Sequence, residues 1–451
     1  MSQRTFFDYL LNPDKVISHG SAEFGGFWEQ RKLLKPSNSG VYIADDLRLN
    51  PDFSFKNLIL ISPTGGGKST RFVLNQALRK WNSNVSLIFF DPSGEIKKLS
   101  EKWLIKQKFE PINIDLTNPI NSAKHNPLLT VTNKSSAKIM AESLISVVYE
   151  NSNSDAFWTH SAISILTLVI LAVSLKIPVQ ERTLLLVTRL INKMGHADDE
   201  INSLMELALN EDDFDEYCSF LAGSLKVKQS IIATVKSALY IYSEETLTSI
   251  CSESTFSFDD LRNKRTVLFL SQEEHKIPYY KGFWNLFYRQ LFEYLMTQNK
   301  GNNVFCFMDE FANIGALPNI ETIISTIRKK RVHLSLILQS YEQLSNVYGE
   351  KKAKIIFENC NSKLFYGGLS YESSRIVSNM LGIKTESYSN NGIFKPNQSM
   401  NRISRNLMTP EEVRTHLKDD ECLFIHGRYK PMKLKATPYY KNRTLKKRSR
   451  L

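Results

Sequence analysis

The chain has 451 residues, of which 42% are hydrophobic and 11% aromatic, enough to bury a large core and to exclude wholesale disorder. Its 5 cysteines are widely spaced and never occur as Cys-x-x-Cys, so a reducing cytosol is expected rather than a disulfide framework or a cysteine zinc site. The net charge of +12 favours a polyanionic partner such as nucleic acid or an anionic membrane surface.

The N-terminal segment, residues 1–56, combines turn-rich stretches with a predicted strand at 41–49 that leads into the core. Residues 1–15 lack the apolar region and the cleavage site of a secretory signal. The most apolar run, 162–175, is interrupted by Ser and Thr and is shorter than the ~20 residues that a membrane-spanning helix needs. We therefore expect a core helix and a soluble chain.

From residue 57 onward, short apolar runs alternate with helical stretches. These runs are 58–61, 85–90, 266–270, 304–308, 334–338 and 363–366. Continuous apolar strands that each have a helix nearby are typical of a parallel sheet covered on both faces. The pattern predicts an α/β fold in which residues 57–129 and 256–440 form one nucleotide-binding domain.

Strand signals are missing between residues 130 and 255, where the periodicity is helical throughout. We interpret this segment as an inserted all-α domain. Its stretch 198–216 contains nine acids and no base. Such a stretch is either a solvated helical surface or a docking face for a basic protein, and it disfavours direct DNA binding there.

A phosphate-binding loop is predicted where the first core strand ends. Residues 62–69 read Ser-Pro-Thr-Gly-Gly-Gly-Lys-Ser, which fits G-x-x-x-x-G-K-[ST] except that Ser62 replaces the first glycine. In such a loop, backbone N–H groups of residues 64–70 face phosphate oxygens, Lys68 reaches the β- and γ-phosphates, and Ser69 ligates Mg²⁺. The nucleotide-binding candidates are Thr64, Gly65, Gly66, Gly67, Lys68, Ser69 and Thr70.

Acidic residues follow the strand at 304–308. Asp309 lies at the carboxyl end of this apolar strand, where it can hold the magnesium ion, and Glu310 is then positioned to polarise an attacking water. An acidic strand end that caps the next helix is the alternative. The combination with the phosphate loop favours the catalytic interpretation and predicts ATP and Mg²⁺ as cofactors.

Two further candidates lie near the strand at 334–338. Gln339 ends that strand, where an amide can sense the γ-phosphate or simply cap the strand. The basic cluster 328–331 precedes the strand. It is either a solvated helix end or the source of an arginine finger that reaches across a subunit boundary, and spacing alone leaves both open.

Several segments together resemble the type IV secretion coupling proteins, the TraG/TraD-type ATPases of conjugative DNA transfer. They are His19-Gly-Ser-Ala22, Pro63-Thr-Gly65, Asp91-Pro-Ser-Gly-Glu95, Asn126-Pro-Leu128, Phe157-Trp158 with Ala162, Asp309-Glu-Phe-Ala-Asn-Ile-Gly-Ala-Leu-Pro318 and Leu407-Met-Thr-Pro-Glu-Glu-Val413. The resemblance spans residues 19 to 440 in the expected order.

The resemblance implies a RecA-like P-loop NTPase domain with an inserted all-α domain that recognises the relaxosome or protein substrates. It implies hexameric rings whose nucleotide sites lie between subunits. It assigns nucleotide and Mg²⁺ binding to Lys68 and Ser69, hydrolysis to Asp309 and Glu310, and movement coupled to nucleotide state to Gln339. Arg328 becomes the arginine-finger candidate. The implied partners are single-stranded DNA with its relaxase and the components of the secretion channel.

Family members usually carry transmembrane helices before the segment that begins at His19, whereas only 18 residues precede it here. We expect a soluble variant, located in the cytoplasm and held at the inner face of the membrane by a separate membrane protein. A homo-hexamer is expected on assembly and a monomer in isolation.

Residues 441–451 hold six Lys or Arg and no acid, half of the net charge of +12, and we interpret them as a solvated basic tail. The predicted function is an ATP-hydrolysing coupling protein that recruits a relaxase–DNA substrate and drives or gates its transfer through a type IV secretion channel. The alternatives are an FtsK-type DNA translocase and a docking adaptor that binds nucleotide with little turnover.

Overall fold

The computed structural model describes residues 20–149, 156–298, 300–389 and 400–451. Its strands, numbered in chain order, are β1 Leu34–Pro36, β2 Tyr42–Ala44, β3 Leu47–Leu49, β4 Leu58–Ile61, β5 Val85–Phe90, β6 Glu110–Asp115, β7 Thr266–Ser271, β8 Asn303–Met308, β9 Val332–Leu338, β10 Ser362–Tyr366, β11 Ile383–Ser389, β12 Met400–Asn406, β13 Glu421–His426 and β14 Met432–Lys435.

Nine strands form one sheet in the order β14-β13-β10-β4-β9-β8-β5-β7-β6. The seven strands from β10 to β6 run parallel, and β13 and β14 add antiparallel edge strands beside β10. The six predicted core strands are β4, β5, β7, β8, β9 and β10. Sequence reasoning missed β6, because Glu110–Asp115 carries polar residues and a proline that suit its position at the edge of the sheet.

Both faces of the sheet are buried. Along β4, Leu58 and Leu60 pack into one hydrophobic core, while Ile59 and Ile61 pack into the other. Since successive side chains of a strand point to opposite faces, a continuous apolar run places large residues in both cores at once. This burial explains why the core strands lack the alternating pattern of a half-exposed sheet.

The α-helices cover the sheet and fill the segment between β6 and β7. They are Phe27–Leu33, Pro51–Ser54, Leu74–Leu78, Glu95–Lys106, Lys134–Tyr149, Ala156–Lys176, Leu184–Lys193, Asp199–Ala208, Glu211–Ala222, Leu225–Leu239, Glu245–Ile250, Asp260–Asn263, Lys281–Thr297, Ile320–Thr326, Tyr341–Asn359, Tyr371–Leu381, Pro410–Thr415 and Arg443–Arg448. A π-helical stretch, Lys68–Val73, runs directly into Leu74–Leu78.

Every regular element among the described residues between Lys134 and Ile250 is a helix, as the periodicity predicts. Within the described chain, one stretch, Phe157–Lys176, is long and apolar enough by length and composition to cross a membrane, and 61% of it is buried inside the protein. Its residues belong to the same hydrophobic core as one face of the sheet. The boundaries 130 and 255 of an inserted domain stay a prediction.

The acidic stretch forms parts of two helices, Asp199–Ala208 and Glu211–Ala222. Asp213 is only 5% exposed and pairs with Lys134 at 2.5 Å, and Glu216 pairs with the same lysine at 2.9 Å. Part of the acidic charge therefore joins two helices of this region, while other acids such as Asp212 and Asp215 face solvent.

Two predictions about local structure are wrong. The expected strand at 41–49 is the hairpin β2–β3, because Asp45 and Asp46 adopt positive φ angles of 47° and 61° and turn the chain. The C-terminal segment 441–451 is also not a free tail. Its helix Arg443–Arg448 buries Leu445 to 2% exposure, and Arg448 donates to the Leu78 carbonyl oxygen at 2.8 Å.

The arginines of this segment pack as well as carry charge. The Arg448 guanidinium lies 4.1 Å from the centre of the Trp103 ring, and Lys102 Nζ donates to the carbonyl oxygen of Leu451 at 2.9 Å. Composition alone suggested solvation, but long basic side chains can cover apolar surface while their charged ends remain hydrogen-bonded.

Candidate nucleotide site

The candidate site lies at the carboxyl ends of three adjacent parallel strands, β4, β9 and β8. Each strand is followed by residues that the sequence singles out: the phosphate loop after β4, Gln339 after β9, and Asp309 with Glu310 after β8. Ligands of open α/β sheets bind at this edge, where strand ends from distant parts of the chain meet. The fold therefore brings together residues separated by more than 200 positions, as in the hydrogen bond between Ser69 and Asp309.

Glycines set the shape of the phosphate loop. Gly65 and Gly67 have φ angles of 75° and 83°, in the left-handed region that favours glycine. A Cβ atom at Gly66 would collide with Ser62 Oγ, so the serine that departs from the usual motif is accommodated because Gly66 has no side chain. The Ser62 N–H donates to the Leu338 carbonyl oxygen at 3.1 Å and fixes the start of the loop to β9.

Two charged contacts connect the loop with the end of β8. Ser69 Oγ donates to Asp309 Oδ2 at 2.9 Å. Lys68 Nζ lies 3.3 Å from Glu310 Oε1. Lys68 and Asp309 are 8% and 6% exposed, whereas the Glu310 side chain is 21% exposed, so the carboxylate of Glu310 is the member open to an incoming water.

Gln339 completes the network. Its Nε2 donates to both carboxylate oxygens of Glu310, at 3.2 and 3.1 Å, and its Oε1 accepts from Thr64 Oγ1 at 3.0 Å. Asn313 Nδ2 donates to Glu310 Oε2 at 3.0 Å. Glu310 has a φ angle of 55°, which costs a non-glycine residue about 1 kcal/mol, and these hydrogen bonds hold its side chain in place.

Burial governs the acidity of the two aspartates at this edge. It raises the pKa of Asp309 to about 6, against the opposing effect of the Ser69 hydrogen bond. It also raises the pKa of Asp91 to about 6. Asp91 follows β5 and accepts from the Lys97 N–H at 2.9 Å, so its carboxylate binds the first turn of the helix Glu95–Lys106.

Arg328 lies elsewhere. It is exposed in the turn Ile327–Lys330, just before the amino end of β9, whereas Gln339 follows the carboxyl end. β9 has 7 residues, so its two ends are about 20 Å apart at ~3.3 Å per residue. Arg328 therefore does not join the site of its own chain, and a catalytic role would require a neighbouring subunit.

Arg71 is a site residue that sequence reasoning missed. It is 5% exposed and donates to the carbonyl oxygens of Gly66 at 3.1 Å, Ala436 at 2.9 Å and Glu421 at 2.7 Å. Its guanidinium also lies 3.8 Å from the centre of the Tyr366 ring. Arg71 thus ties the phosphate loop to the C-terminal part of the chain. Its partners there, Glu421 and Ala436, are 350 or more residues away, beyond the reach of a local motif.

The residues present fit a magnesium–nucleotide complex. The Ser69 hydroxyl and the Asp309 carboxylate already lie within hydrogen-bond distance, and both are the oxygen ligands that Mg²⁺ prefers. Lys68 supplies a cation beside a loop whose glycines leave backbone N–H groups accessible. Of the predicted site residues, the structure brings together Thr64, Gly65, Gly66, Gly67, Lys68, Ser69, Thr70, Asp309, Glu310 and Gln339, and leaves Arg328 apart.

Comparison with known proteins agrees with this arrangement. The family model described as "Type IV secretory system Conjugative DNA transfer" matches residues 19–450. The chain belongs to this conjugative DNA transfer family. The protein VirD4 of Rhizobium radiobacter is 26% identical over 254 residues, which are 54% of this chain and 37% of VirD4. The chain thus spans about a third of the length of VirD4.

The conjugal transfer protein TraG of Agrobacterium fabrum is 22% identical over 466 residues, covering 92% of this chain and 69% of TraG. Among solved structures, the coupling protein TrwB in complex with the ATP analogue ADPNP superposes with a TM-score of 0.72, 17% identity and coverage of 94% and 95% of the two chains. TrwB with ADP and Mg²⁺ gives a TM-score of 0.68 at 18% identity. These structures share the fold of this family member and confirm the predicted RecA-like α/β class with its helical region.

Proposed function

We propose that this protein is an ATP-hydrolysing coupling protein, which recruits a relaxase–DNA substrate and drives or gates its transfer through a type IV secretion channel. The observation that supports the proposal most strongly is the network Thr64–Gln339–Glu310–Lys68 beside the Ser69–Asp309 pair, in a chain that matches its family along nearly all its length. TrwB, which shares the fold, has been solved with ADPNP and with ADP and Mg²⁺.

Each residue of the network has a defined task in ATP hydrolysis. Lys68 neutralises oxygens of the β- and γ-phosphates, and the N–H groups of the glycine loop hold the same phosphates. Ser69 and Asp309 would hold the magnesium ion, which would neutralise negative charge on the phosphates. Glu310 orients the attacking water and accepts its proton, while Gln339 and Asn313 fix the Glu310 carboxylate by hydrogen bonds.

The Lys68–Glu310 contact joins the phosphate-binding cation to the proposed catalytic carboxylate. At 3.3 Å, the ammonium group of Lys68 pairs with the carboxylate that is to activate water. A bound γ-phosphate competes with Glu310 for Lys68. When Lys68 pairs with the phosphate, the Glu310 carboxylate becomes available to the attacking water. Since Gln339 contacts both Glu310 and Thr64 of the phosphate loop, it is suited to link nucleotide state to movement of β9.

The assembly that we propose is a homo-hexamer in which Arg328 of one subunit reaches the nucleotide of the next. Its exposure, about 20 Å from the site of its own chain, suits action across a subunit boundary. The proposed partners are single-stranded DNA with its relaxase, the components of the secretion channel, and a separate membrane protein that recruits the chain to the inner face of the cell membrane.

ATP turnover of wild type and of Lys68→Ala distinguishes an ATP-driven motor from a docking adaptor that binds nucleotide with little turnover. We expect the wild type to hydrolyse ATP faster in the presence of single-stranded DNA, and Lys68→Ala to lose at least 100-fold in turnover because the β- and γ-phosphates lose their cation. Lys98→Ala, which removes an exposed lysine from the helix Glu95–Lys106, is the matched control. Equal turnover of wild type and Lys68→Ala under assembly conditions would contradict the motor.

A further inference from the structure

A cavity adjoins the phosphate loop, and Glu310 is not among the described residues that line it. Its volume is about 500 Å³, within the range of small-molecule sites. Gly66, Gly67 and Thr70 form one wall, and the C-terminal residues Tyr440 and Lys441 lie among the residues that form the others. This cavity therefore lies between the start of the helix that follows the phosphate loop and the C-terminal segment, which the sequence predicts to be a solvated tail.

The position of the cavity fixes which part of a nucleotide it would take. In a phosphate loop the lysine reaches the β- and γ-phosphates, so the terminal phosphate lies on the side of Lys68 and Glu310. Among the described residues that line the cavity, neither of these two is present, whereas Thr70 is. The remainder of the nucleotide must therefore leave the loop past Thr70, into this cavity.

The lining suits a planar base. Gly367 and Gly368 follow β10 and offer backbone without side chains, and the Tyr440 ring is 47% exposed. An exposed aromatic ring is a stacking platform, and stacking tolerates any base because every base has a π-face. Arg71, Arg414, Lys418 and Lys441 against the single acid Asp419 leave the lining net positive, which suits a phosphate-bearing ligand.

We propose that this cavity binds the nucleoside of the nucleotide and that Tyr440 stacks on its base, an assignment that rests on the proposed ATP-binding function. The C-terminal helix Arg443–Arg448 positions the tyrosine. Asn442 caps this helix by accepting from the N–H groups of Thr444 and Leu445 at 3.0 and 3.2 Å, and the burial of Leu445 anchors it. Docking of the C-terminal segment and occupancy of the nucleoside cavity are therefore coupled.

Arg71 provides the second link between the two walls. Its Nη1 donates to the Gly66 carbonyl oxygen in the phosphate loop, and its Nε donates to the Ala436 carbonyl oxygen, two residues before Pro438 of the cavity lining. The loop that holds phosphates and the segment that holds the base are thus connected through one buried side chain. A shift of the C-terminal segment would therefore displace the phosphate loop through the hydrogen bonds of Arg71.

Calorimetric titration of the full chain with Mg-ADP and with magnesium tripolyphosphate tests the assignment. Tripolyphosphate carries the phosphates without a nucleoside. We expect Tyr440→Ala to weaken Mg-ADP binding about tenfold and to leave tripolyphosphate binding unchanged, because only the stacked base is lost. Tyr440→Phe retains the ring and should bind both ligands as the wild type does. Thermal melting of each variant verifies that it is folded.

The same titrations separate the failure of this proposal from the failure of the nucleotide-binding function. If Lys68→Ala weakens both ligands while Tyr440→Ala leaves the affinity for Mg-ADP within twofold of wild type, the stacking assignment is wrong and the phosphate site stands. Equal weakening of both ligands by Tyr440→Ala would also overturn it, since it would show a general disturbance of the loop. Binding of neither ligand by the wild type would overturn the nucleotide function and this assignment together.

Discussion

The two ends of strands β8 and β9 differ in how their charged residues are used. At the carboxyl ends, Asp309, Glu310 and Gln339 are joined to the phosphate loop by short contacts within the same chain. At the amino end of β9, Arg328, Lys329 and Arg331 are exposed around an open depression that also includes Lys56. One edge has its contacts complete within a single chain, whereas the cations of the other are exposed.

This difference separates two kinds of functional residue. Residues of the complete edge can be tested in a single chain, because their partners are already in place. Residues of the exposed edge can be tested only in an assembly, because their proposed partner is the nucleotide of a neighbour. Experiments that mix variant subunits therefore distinguish residues that act within their own chain from residues that act on a neighbouring subunit.

The largest effect is expected at the exposed edge. Arg328→Ala should reduce ATP turnover of the assembled protein about 1,000-fold, the usual loss for an arginine finger, because charge at the γ-phosphate is no longer neutralised. Binding of Mg-ADP to the single chain should be unchanged, since Arg328 lies far from the site of its own chain. Lys329→Ala, an exposed neighbour in the same turn, should keep wild-type turnover.

Mixed assemblies decide whether Arg328 acts on a neighbour. Lys68→Ala and Arg328→Ala subunits are each inactive in pure form, but in a random equal mixture about a quarter of the interfaces pair an intact phosphate loop with an intact Arg328. Turnover should rise accordingly on mixing. A mixture as silent as its two components would show that the exposed edge does not serve the adjacent site.

A smaller loss is expected at the complete edge. Glu310→Gln should lower turnover about 100-fold, because the amide keeps the shape of the side chain but cannot accept a proton from water. Mg-ADP should bind at least as well as to wild type, since Lys68 loses its competing carboxylate partner, now 3.3 Å away. Single-turnover hydrolysis and calorimetry measure the two effects separately.

Asn313→Ala is the matched control for this variant, because it removes a hydrogen bond to Glu310 Oε2 without changing its charge. A loss as large as that of Glu310→Gln would indicate that positioning of the carboxylate, rather than its basicity, limits the reaction. Unchanged turnover in Glu310→Gln would remove Glu310 from the chemistry.

The same comparison explains what could be predicted from sequence. The complete edge was predictable because a buried strand fixes where its last residue lies, so Asp309 and Gln339 could be placed beside the phosphate loop from three short apolar runs. Arg71 and Tyr440 could not be placed, because their contacts depend on how segments 350 or more residues apart pack. The hairpin β2–β3 was missed since two aspartates turn the chain without glycine.

Net charge is a poor guide to the structure of the C-terminal segment, residues 441–451. Six cations without an acid indicate a solvated tail, yet a single leucine at 445 provides an apolar anchor, and Arg448 covers Trp103. Net charge reports on solubility and association but not on whether a segment folds. A short helix with one buried residue has too little periodicity to be recognised from sequence.

The smallest effect is expected at His125, a buried imidazole that stays neutral instead of forming a charged contact. Burial lowers the pKa of His125 to about 4. Its Nε2–H donates to Gln290 Oε1 at 3.0 Å, an assignment fixed by the Gln290 amide nitrogen, which already donates to Pro127 and Thr130. Because protonation favours the unfolded chain, this residue removes stability as the pH falls from 6.5 towards 4.

The contribution of His125 amounts to about 1 kcal/mol between pH 7.5 and 5.5, from a pKa of ~6.5 when unfolded and about 4 when folded. His125→Gln keeps a donor for Gln290 but cannot titrate, so its free energy of unfolding in urea should fall about 1 kcal/mol less than that of wild type over this interval. His160→Gln, at an exposed position, controls for the replacement of a histidine by glutamine itself. Identical pH dependence in His125→Gln and wild type would mean that His125 is protonated as readily in the folded chain as in the unfolded chain. The interior around His125 would then tolerate a charge, as the two edges of the sheet do.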